Sequence, residues 1–496
     1  MLDVLVVGLG VTGAGVALDA ASRGLDVAAI DAHDLAFGTS RWSSKLVHGG
    51  LRYLAGGQVG IAHESAVERG VLMSRTAPHL TRPLPMLIPL TPSVSRAQAT
   101  LAMAGLRAGD ALRASARTSH RLLPHPRRLT ETEVGTFAPG LRGTGLRGGL
   151  LSWDGQLEDD ARLVVALART AAGYGARVLP RVRALCLTGT GAVVRDALTG
   201  QTATIRARSV VNATGVWAGE LVPDVRLRPS RGTHLVLRGA SIPGLRAAVT
   251  APVPGDPTRF VMVLPQPDGL VYVGLTDEPA ELPVPDVPAP TEAEVGFLLD
   301  LVAGVFERPV PREEVVGAFA GLRPLLDGSG RTADLSRRHA VLVAGDGVVT
   351  VVGGKLTTYR RMAEDAVDTV ARRAGTAAGR SRTGSLPLVG AAPRDSLRRV
   401  KAPARLVRRY GVEAPAVLEE ARRLCSESEL TAPLADGTPV TMPELLWGVT
   451  HEGALDVDDL LDRRTRVGLV PADRERVVDA AAEALGRATE ALGAGS

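Results

Sequence analysis

Asp3-Val4-Leu5-Val6-Val7-Gly8-Leu9-Gly10-Val11-Thr12-Gly13 and, a little further on, Asp26-Val27-Ala28-Ala29-Ile30-Asp31 are the stretches on which the fold turns. The first five residues form a short apolar run bounded by glycine, the pattern of a fully buried parallel strand. A helix-compatible stretch follows to about Ser22, Arg23-Gly24 ends it, and Asp26 to Ile30 supplies a second strand closing on Asp31. This is a βαβ unit. Gly8 permits the tight turn, Gly10 lets a pyrophosphate approach the backbone, and Gly13 lets helix and strand pack closely. The helix N-terminus offers N–H groups and a partial positive charge to phosphates. Asp31, eighteen residues after Gly13, is placed to accept a hydrogen bond from an adenosine ribose hydroxyl and disfavours a 2′-phosphate. The chain contains its own control, since Gly143-Thr144-Gly145-Leu146-Arg147-Gly148 matches the same expression. That match follows no buried strand and has no ribose carboxylate behind it, so it reads as a glycine-rich turn.

Composition sets the frame around this unit. With 496 residues, two or three domains are expected. Hydrophobic residues at 45% and charged residues at 22% are globular values and exclude wholesale disorder. Few aromatics (3%) with 56 glycines and 33 prolines favour a turn-rich α/β protein packed by Ala, Val and Leu. A formal charge of +5 spread over this length fits an anionic substrate or an anionic membrane surface, and gives no ground to expect nucleic acid. Cys186 and Cys425 are far apart and form no CxxC pattern, which argues for a reducing compartment and against a disulfide framework or cysteine zinc site. His63-Glu64 and His451-Glu452 lack a second histidine at metal spacing, and no metal is expected. Asp3 and four glycines break the apolar start, and no later run reaches the ~18 to 20 residues of a membrane span, so a cytoplasmic location with room for peripheral membrane contact is expected.

Further along, Glu64 to Arg75 reads as helix, and the four prolines of 81–92 read as a crossing between domains. Residues 159–175 form an Ala-rich helix. Strands are expected at 205–212, 233–238 and 259–275, the last broken near Pro265-Gln266-Pro267, then at 341–344 and 348–352 before a helix to about Arg373. Five prolines within 279–290 mark an exposed loop. From about 385 the composition turns to charged helix formers, and Thr441-Met-Pro-Glu444 has capping-box spacing.

The block Gly38-Thr39-Ser40-Arg41-Trp42-Ser43-Ser44-Lys45-Leu46-Val47-His48-Gly49-Gly50-Leu51-Arg52-Tyr53 is long, polar and rich in donors. Three later blocks accompany it in order: Asn212-Ala213-Thr214-Gly215-Val216-Trp217, Gly321-Leu-Arg323-Pro-Leu325, and Gly353-Gly354-Lys355-Leu356-Thr357-Thr358-Tyr359-Arg360. Together with Asp458-Asp-Leu-Leu-Asp-Arg-Arg464, these blocks resemble the FAD-dependent glycerol-3-phosphate dehydrogenases (the aerobic, quinone-linked type) over nearly the whole chain. The resemblance implies a Rossmann-like FAD-binding domain interleaved with a mixed-sheet substrate domain, as in the glutathione-reductase and D-amino-acid-oxidase folds, plus an all-α C-terminal domain. The boundaries expected are 1–80, 150–225 and 335–380 for the FAD domain, 81–149 and 226–334 for the substrate domain, and 385–496 for the helical domain. Trp42 adds bulk to a usually small-residue segment, and Asp31 is shorter than the glutamate common there.

On this resemblance FAD is held by Gly8, Gly10, Gly13, Asp31, Thr39, Ser40, Ser44, Lys45, His48, Gly49, Leu51, Ala213, Thr214, Gly215, Trp217, Gly354, Lys355, Leu356 and Thr357. Backbone N–H groups after Gly353-Gly354 would stabilise negative charge on the reduced flavin. Arg52, Tyr53, Arg337 and Lys355 would surround a substrate phosphate, with Arg323 near the reacting carbinol. His234 would serve as base, alone or in a network with Arg323, while a buried structural histidine stays open as the other reading. The implied reaction is oxidation of glycerol 3-phosphate to dihydroxyacetone phosphate by hydride transfer to flavin N5, with electrons passed to a membrane quinone or another acceptor. A glycerol-3-phosphate oxidase using dioxygen, an amine or amino-acid oxidoreductase, and a non-catalytic flavin-binding protein remain as alternatives. Residues 96–128 carry seven arginines against one acid, Asp110, with Leu101, Met103, Leu106 and Leu112 between them. They are either a solvated face or a docking surface for anionic lipid at the inner face of the cell membrane. A homodimer is compatible with this reading.

Overall fold

β1 (Leu2–Val7) and β2 (Val27–Ile30) pair in parallel, Val4 opposite Val27 and Val7 opposite Ile30, and α1 (Val11–Ser22) crosses between them. The computed structural model describes every residue except 51, 52, 55, 56, 255, 328–338, 376, 377, 495 and 496, and the side chains of 256–258 and 494. Leu51, Arg52 and Arg337 therefore lie outside the described residues.

Two sheets organise the described chain. The first is eight-stranded and runs β17 (Ala340–Val343), β18 (Val349–Val352), β10 (Thr202–Asn212), β1, β2, β7 (Arg177–Leu179), with β9 (Gly191–Asp196) paired to β10 and β8 (Val182–Thr188) to β9. Its central strands are nearly continuous Val, Leu, Ile and Ala because both faces are covered. One cover is formed by α1, α4 (Asp160–Gly173) and α6 (Tyr359–Ala374), packed through Ala17, Ala21, Leu163, Leu167, Ala363 and Val367. β1 and β10 are in register from Leu2–Ala207 to Val7–Asn212, so Gly8 and Ala213 leave the sheet side by side. The carboxyl ends of parallel strands are where such sheets bind ligands.

The second sheet has ten strands in the order β15 (Glu278–Pro279), β11 (Ser230–Arg238), β14 (Leu270–Gly274), β13 (Asp256–Pro265), β12 (Ala248–Val253), β4 (Thr81–Pro89), β6 (Gly149–Leu157), β3 (Leu46–Val47). β16 (Val315–Arg323) flanks β11, and β5 (Arg127–Leu129) flanks β6. One face is buried by α5 (Glu292–Val305) through Val295, Leu298 and Val302. The glycine-rich turn of 143–148 lies in the approach to β6, with no strand leading into it.

Two expectations are corrected here. The proline-rich 81–92 is not a crossing but contains β4, which pairs with β6 over all nine residues. Pro83, Pro85 and Pro89 are all odd-numbered, so their missing donors fall on one edge of the strand, and β12 pairs with β4 only at Met86 and Leu87. Residues 150–157, expected in the first domain, belong to the second sheet as β6, which pairs antiparallel with β4 on one side and with β3 on the other. The expected helix at 64–75 is α2 (Val59–Val71), continued by a wider turn through Leu72–Thr76.

Beyond residue 385 the described chain is helical. It includes α7 (Met442–Thr450), opened by the Thr441–Glu444 capping box, and α8 (Pro471–Ala494). Leu445, Leu446, Leu460, Val477, Ala481 and Ala484 form a core of its own.

Candidate active site

Where the carboxyl ends of the first sheet face the second, a continuous cavity of about 2670 Å³ opens. Its first wall is the dinucleotide unit. Gly8 has φ +102°, and a Cβ there would stand 2.6 Å from Ala213 O, so neighbouring β1 and β10 turns close only around glycine. A Cβ on Gly13 would overlap Gly8 O, which is why α1 can begin directly on the strand end. Ser40 Oγ accepts from Val11 N at 2.9 Å and sits 3.0 Å from where a Gly10 Cβ would be, leaving bare backbone at the helix N-terminus. Asp31 Oδ2 accepts from Leu9 N at 2.7 Å and Oδ1 from His33 N at 2.9 Å. Burial nevertheless lifts the Asp31 carboxyl to about 6, a carboxylate short of one compensating donor. A ribose hydroxyl is such a donor, and these features together fit a dinucleotide.

The remaining cofactor residues gather along the same cavity. Asn212 fixes the turn after β10, accepting from Thr214 Oγ1 at 2.7 Å and donating to Ala218 O at 3.0 Å. Ala213, Thr214, Gly215 and Trp217 line the wall. Trp217 packs on Gly38, where a Cβ would come within 2.8 Å of its ring. Thr39 donates to Leu322 O at 2.6 Å, tying this wall to β16. Gly354, Lys355, Leu356 and Thr357 follow β18 into the cavity, and Thr357 Oγ1 accepts from His48 N at 3.1 Å. Lys45 departs from expectation. Its ammonium does not line the cavity but is buried behind it, 2.8 Å from Asp160 Oδ1 and over the rings of Tyr272 and Phe319. The left-handed backbone at Lys45 (φ +56°) turns consecutive side chains to different sides of the loop.

The second wall comes from β11 and β16. Alternation places Ser230, Gly232 and His234 on one face of β11, and register sets Arg323 opposite Ser230 and Phe319 opposite His234. His234 is fully buried, stacks on Phe319 with centroids 4.8 Å apart, and its Nε2 lies 2.8 Å from Ser44 Oγ. Its Nδ1 has no hydrogen-bond partner among the described residues. Burial, and next the positive charges of Lys45 and Arg323, hold the imidazole down at about 3, so it is neutral at neutral pH. Arg323 lies across Gly232 and is anchored to Ser230 Oγ (2.8 Å), Asp277 Oδ1 (3.1 Å) and Thr276 O (3.0 Å). Lys355 Nζ stands 4.0 Å over the Tyr53 ring and 3.4 Å from Ser65 Oγ, so these two proposed phosphate ligands do meet.

Sequence reading missed one hub of this site. Asp154 on β6 accepts from Arg69 Nη1 (2.7 Å) and Gly49 N (3.2 Å), with His48 Nδ1 at 3.5 Å. Burial pushes its carboxyl up, but Arg69 and His48 outweigh it and hold it at about 2. The partners are 85 and 105 residues away in sequence, so no local spacing announces them. The Ser230–Asp277–Arg323 anchor escaped for the same reason.

Comparison with known proteins agrees with this geometry. Residues 3–360 match the FAD dependent oxidoreductase family, and residues 381–493 match the C-terminal domain of alpha-glycerophosphate oxidase. The chain is 54% identical over 497 aligned residues to glycerol-3-phosphate dehydrogenase 1 of Mycobacterium tuberculosis, covering 98% of this chain and 95% of that one. It is 37% identical to glycerol-3-phosphate dehydrogenase 2 of the same organism, covering 94% and 81%. Among solved structures, the FAD complex of the Bacillus halodurans glycerol-3-phosphate dehydrogenase superimposes with a TM-score of 0.74 at 28% identity, over 98% of this chain and 91% of that one. Dithionite-reduced L-alpha-glycerophosphate oxidase from Mycoplasma pneumoniae shares the fold at TM-score 0.59 and 17% identity, over 78% and 98%. With its dinucleotide cradle, its second-sheet wall and its C-terminal helices all matched, the chain is a flavoenzyme of the FAD-dependent glycerol-3-phosphate dehydrogenase family.

Proposed function

We propose that the protein oxidises glycerol 3-phosphate to dihydroxyacetone phosphate on FAD and passes the electrons to a membrane quinone. The observation that carries this reading is the convergence of His234, Arg323, Lys355 and Tyr53 on the cavity that the dinucleotide cradle opens into. FAD, which Gly8, Gly10, Gly13, Asp31 and the Gly354–Thr357 turn would hold, would supply a two-electron acceptor for the hydrogen leaving the substrate C2 as hydride.

The chain's own residues do the rest. Lys355 and Tyr53 bind the phosphate, the roles proposed also for Arg52 and Arg337. Arg323, held rigidly by Ser230, Asp277 and Thr276, orients the carbinol oxygen. His234 is neutral and so able to take the hydroxyl proton. Its low basicity comes from burial and from two neighbouring cations. Ser44 fixes the imidazole ring through Nε2.

The quinone assignment draws support from α3 (Arg96–Ser115) and the segment that follows it into β5. Arg96, Arg107, Arg117, Arg121, Arg127 and Arg128 are exposed, as is Leu101, at 75%. Only Arg113 is withdrawn, buried against Asp110 at 2.6 Å. Among the described residues no helix is long and apolar enough to cross a membrane, so contact with lipid would be peripheral. Salt-sensitive binding to anionic vesicles is expected; binding that ignores salt, or is absent, counts against this surface. The C-terminal match to alpha-glycerophosphate oxidase favours dioxygen as the second reading of the acceptor. Anaerobic addition of glycerol 3-phosphate to the holoenzyme should bleach the oxidised flavin band, and a quinone analogue should sustain turnover. An unchanged spectrum overturns the substrate, and peroxide formation in step with substrate loss overturns the quinone.

A further inference from the structure

One strip of the C-terminal domain, Asp462 to Arg466, lies along the outside of the loop 31–42, whose inner side carries Asp31, Thr39 and Ser40 into the cavity. Asp34, three residues after Asp31, is buried and takes Arg463 Nε at 2.7 Å and Arg464 Nη1 and Nη2 at 2.6 and 2.9 Å. Arg464 is itself fully buried and also donates to Glu452 O at 2.8 Å, so its fork has no slack. Midway along the loop, Phe37 lines the cavity with its ring under Arg41 (5.1 Å) and Arg463 (5.9 Å). At the far end Arg466 Nη2 donates to Arg41 O at 2.5 Å, and its guanidinium stands 5.1 Å over the Trp42 ring. Arg466 does this from a left-handed backbone (φ +67°), a conformation that a bulky residue keeps only where its contacts fix it. The brace extends beyond the strip as well. Arg181 pairs with Asp456 and Asp459 while its backbone N donates to His33 O at 2.8 Å.

The loop has no regular structure besides the single turn Thr39–Arg41, and a loop left to itself samples many conformations. Asp31 and Ser40 line the cavity from the two ends of the loop, so freedom between them would loosen the cradle.

We infer that Arg463, Arg464 and Arg466 are positioning residues for FAD: the C-terminal domain acts as an external clamp that preorganises loop 31–42, and cofactor retention depends on it. This inference concerns the cofactor alone and is independent of the substrate and acceptor proposed above.

The test follows FAD release from diluted holoenzyme by the rise in free-flavin fluorescence. The double variant Asp34→Asn/Arg464→Met removes the buried pair and leaves Arg463 on Asp459, and Arg466→Lys keeps the charge but loses the Nη2 bond to Arg41 O and the Nη1 bond to Asp462 O. Each is expected to release FAD about ten-fold faster or more, with far-UV circular dichroism unchanged. Arg169→Met is the control, since Arg169 joins α4 to Glu413 of the C-terminal domain at 2.6 and 3.0 Å without touching loop 31–42. It should release FAD at the wild-type rate. Wild-type release from the Arg464 and Arg466 variants overturns the inference, and so does equal acceleration in Arg169→Met, which would mean that docking the domain at all is what matters. Should the double variant fail to fold, Arg466→Lys against Arg169→Met decides alone.

Discussion

Ser44 Oγ stands 2.8 Å from His234 Nε2 across 190 residues of chain, and this bond joins the cofactor loop to the second sheet. It connects the two walls of the cavity at the residue proposed as base. Ser44→Ala leaves the ring stacked on Phe319 but free to change its tilt. A single neutral hydrogen bond contributes about 0.5–1.5 kcal/mol, so turnover should fall by about two- to ten-fold while FAD stays bound. Steady-state kinetics with a flavin absorbance check measures this. A variant with unchanged kcat would mean that Ser44 does not position the imidazole for turnover.

His234 itself carries a pH signature. Its folded pKa of about 3 lies below the ~6.5 of an unfolded histidine, so the folded state binds its proton less readily. The stabilisation is therefore present above about pH 6.5 and is lost as pH falls toward about 3. His234→Gln, which can still bond Ser44, removes that slope. Melting temperatures between about pH 7 and pH 4 should drop more steeply for the wild type than for the variant. As loss of a general base, the same substitution should lower kcat by about 100-fold or more. Parallel melting curves would show that the imidazole is not held neutral by burial.

Asp31 behaves in the opposite sense. Its folded pKa of about 6 lies above the ~3.9 of an unfolded aspartate, so protonation favours the folded state and that benefit fades as pH rises through about 6. Without FAD, Asp31→Asn should melt above the wild type near pH 7.5 and together with it near pH 4. With FAD the order should reverse, because the variant loses a charged acceptor for the ribose and binds about ten-fold or more weakly. Calorimetric melts with and without added FAD test both halves. A variant that melts lower in both states would make Asp31 a structural residue only.

The cradle was legible in the sequence because its parts are local. Gly8, Gly10, Gly13 and Asp31 lie within one βαβ unit, and strand, turn and helix can be read from adjacent residues. The second wall was only half legible. His234 and Arg323 stand in recognisable blocks, but their supports come from strands paired at long range, as with Ser230 and Asp277. Lys45 misled for a related reason: composition cannot show that a left-handed residue turns its side chain away from its neighbours' cavity. The prolines of β4 hid a strand because proline forbids only a donor, and one edge of that strand needs few donors.

A separate prediction concerns the domain junction. Glu452 is buried and bonded by Arg162, with Arg162 Nη1 at 2.7 Å from Oε1. Glu452→Gln strands the arginine charge in a low-dielectric setting, and breaking such a pair costs about 3–5 kcal/mol. Urea titration should show the loss as an earlier midpoint. Arg162→Met/Glu452→Met, which removes both charges, should recover most of it. A single variant as stable as the wild type would mean that water reaches the pair.

Gly232 offers the sharpest test of the substrate wall. Its place on β11 is an ordinary strand position, so a side chain is excluded by space and not by backbone conformation. A Cβ there would stand 2.5 Å from Leu275 Cδ1 and closer still to Arg323 Nη2. Arg323 cannot retreat, because Ser230, Asp277 and Thr276 hold it from behind. Gly232→Ala must therefore lift the guanidinium into the cavity or break its anchors. Either displacement should raise KM for glycerol 3-phosphate by about ten-fold or more, with the flavin spectrum and FAD content unchanged. Gly60→Ala, where no atom lies within 4 Å of the added carbon, is the matched control and should leave KM alone. If Gly232→Ala instead lowers kcat with KM constant, Arg323 acts in the chemical step and not in holding the substrate, because a loss confined to kcat marks an interaction made only in the transition state.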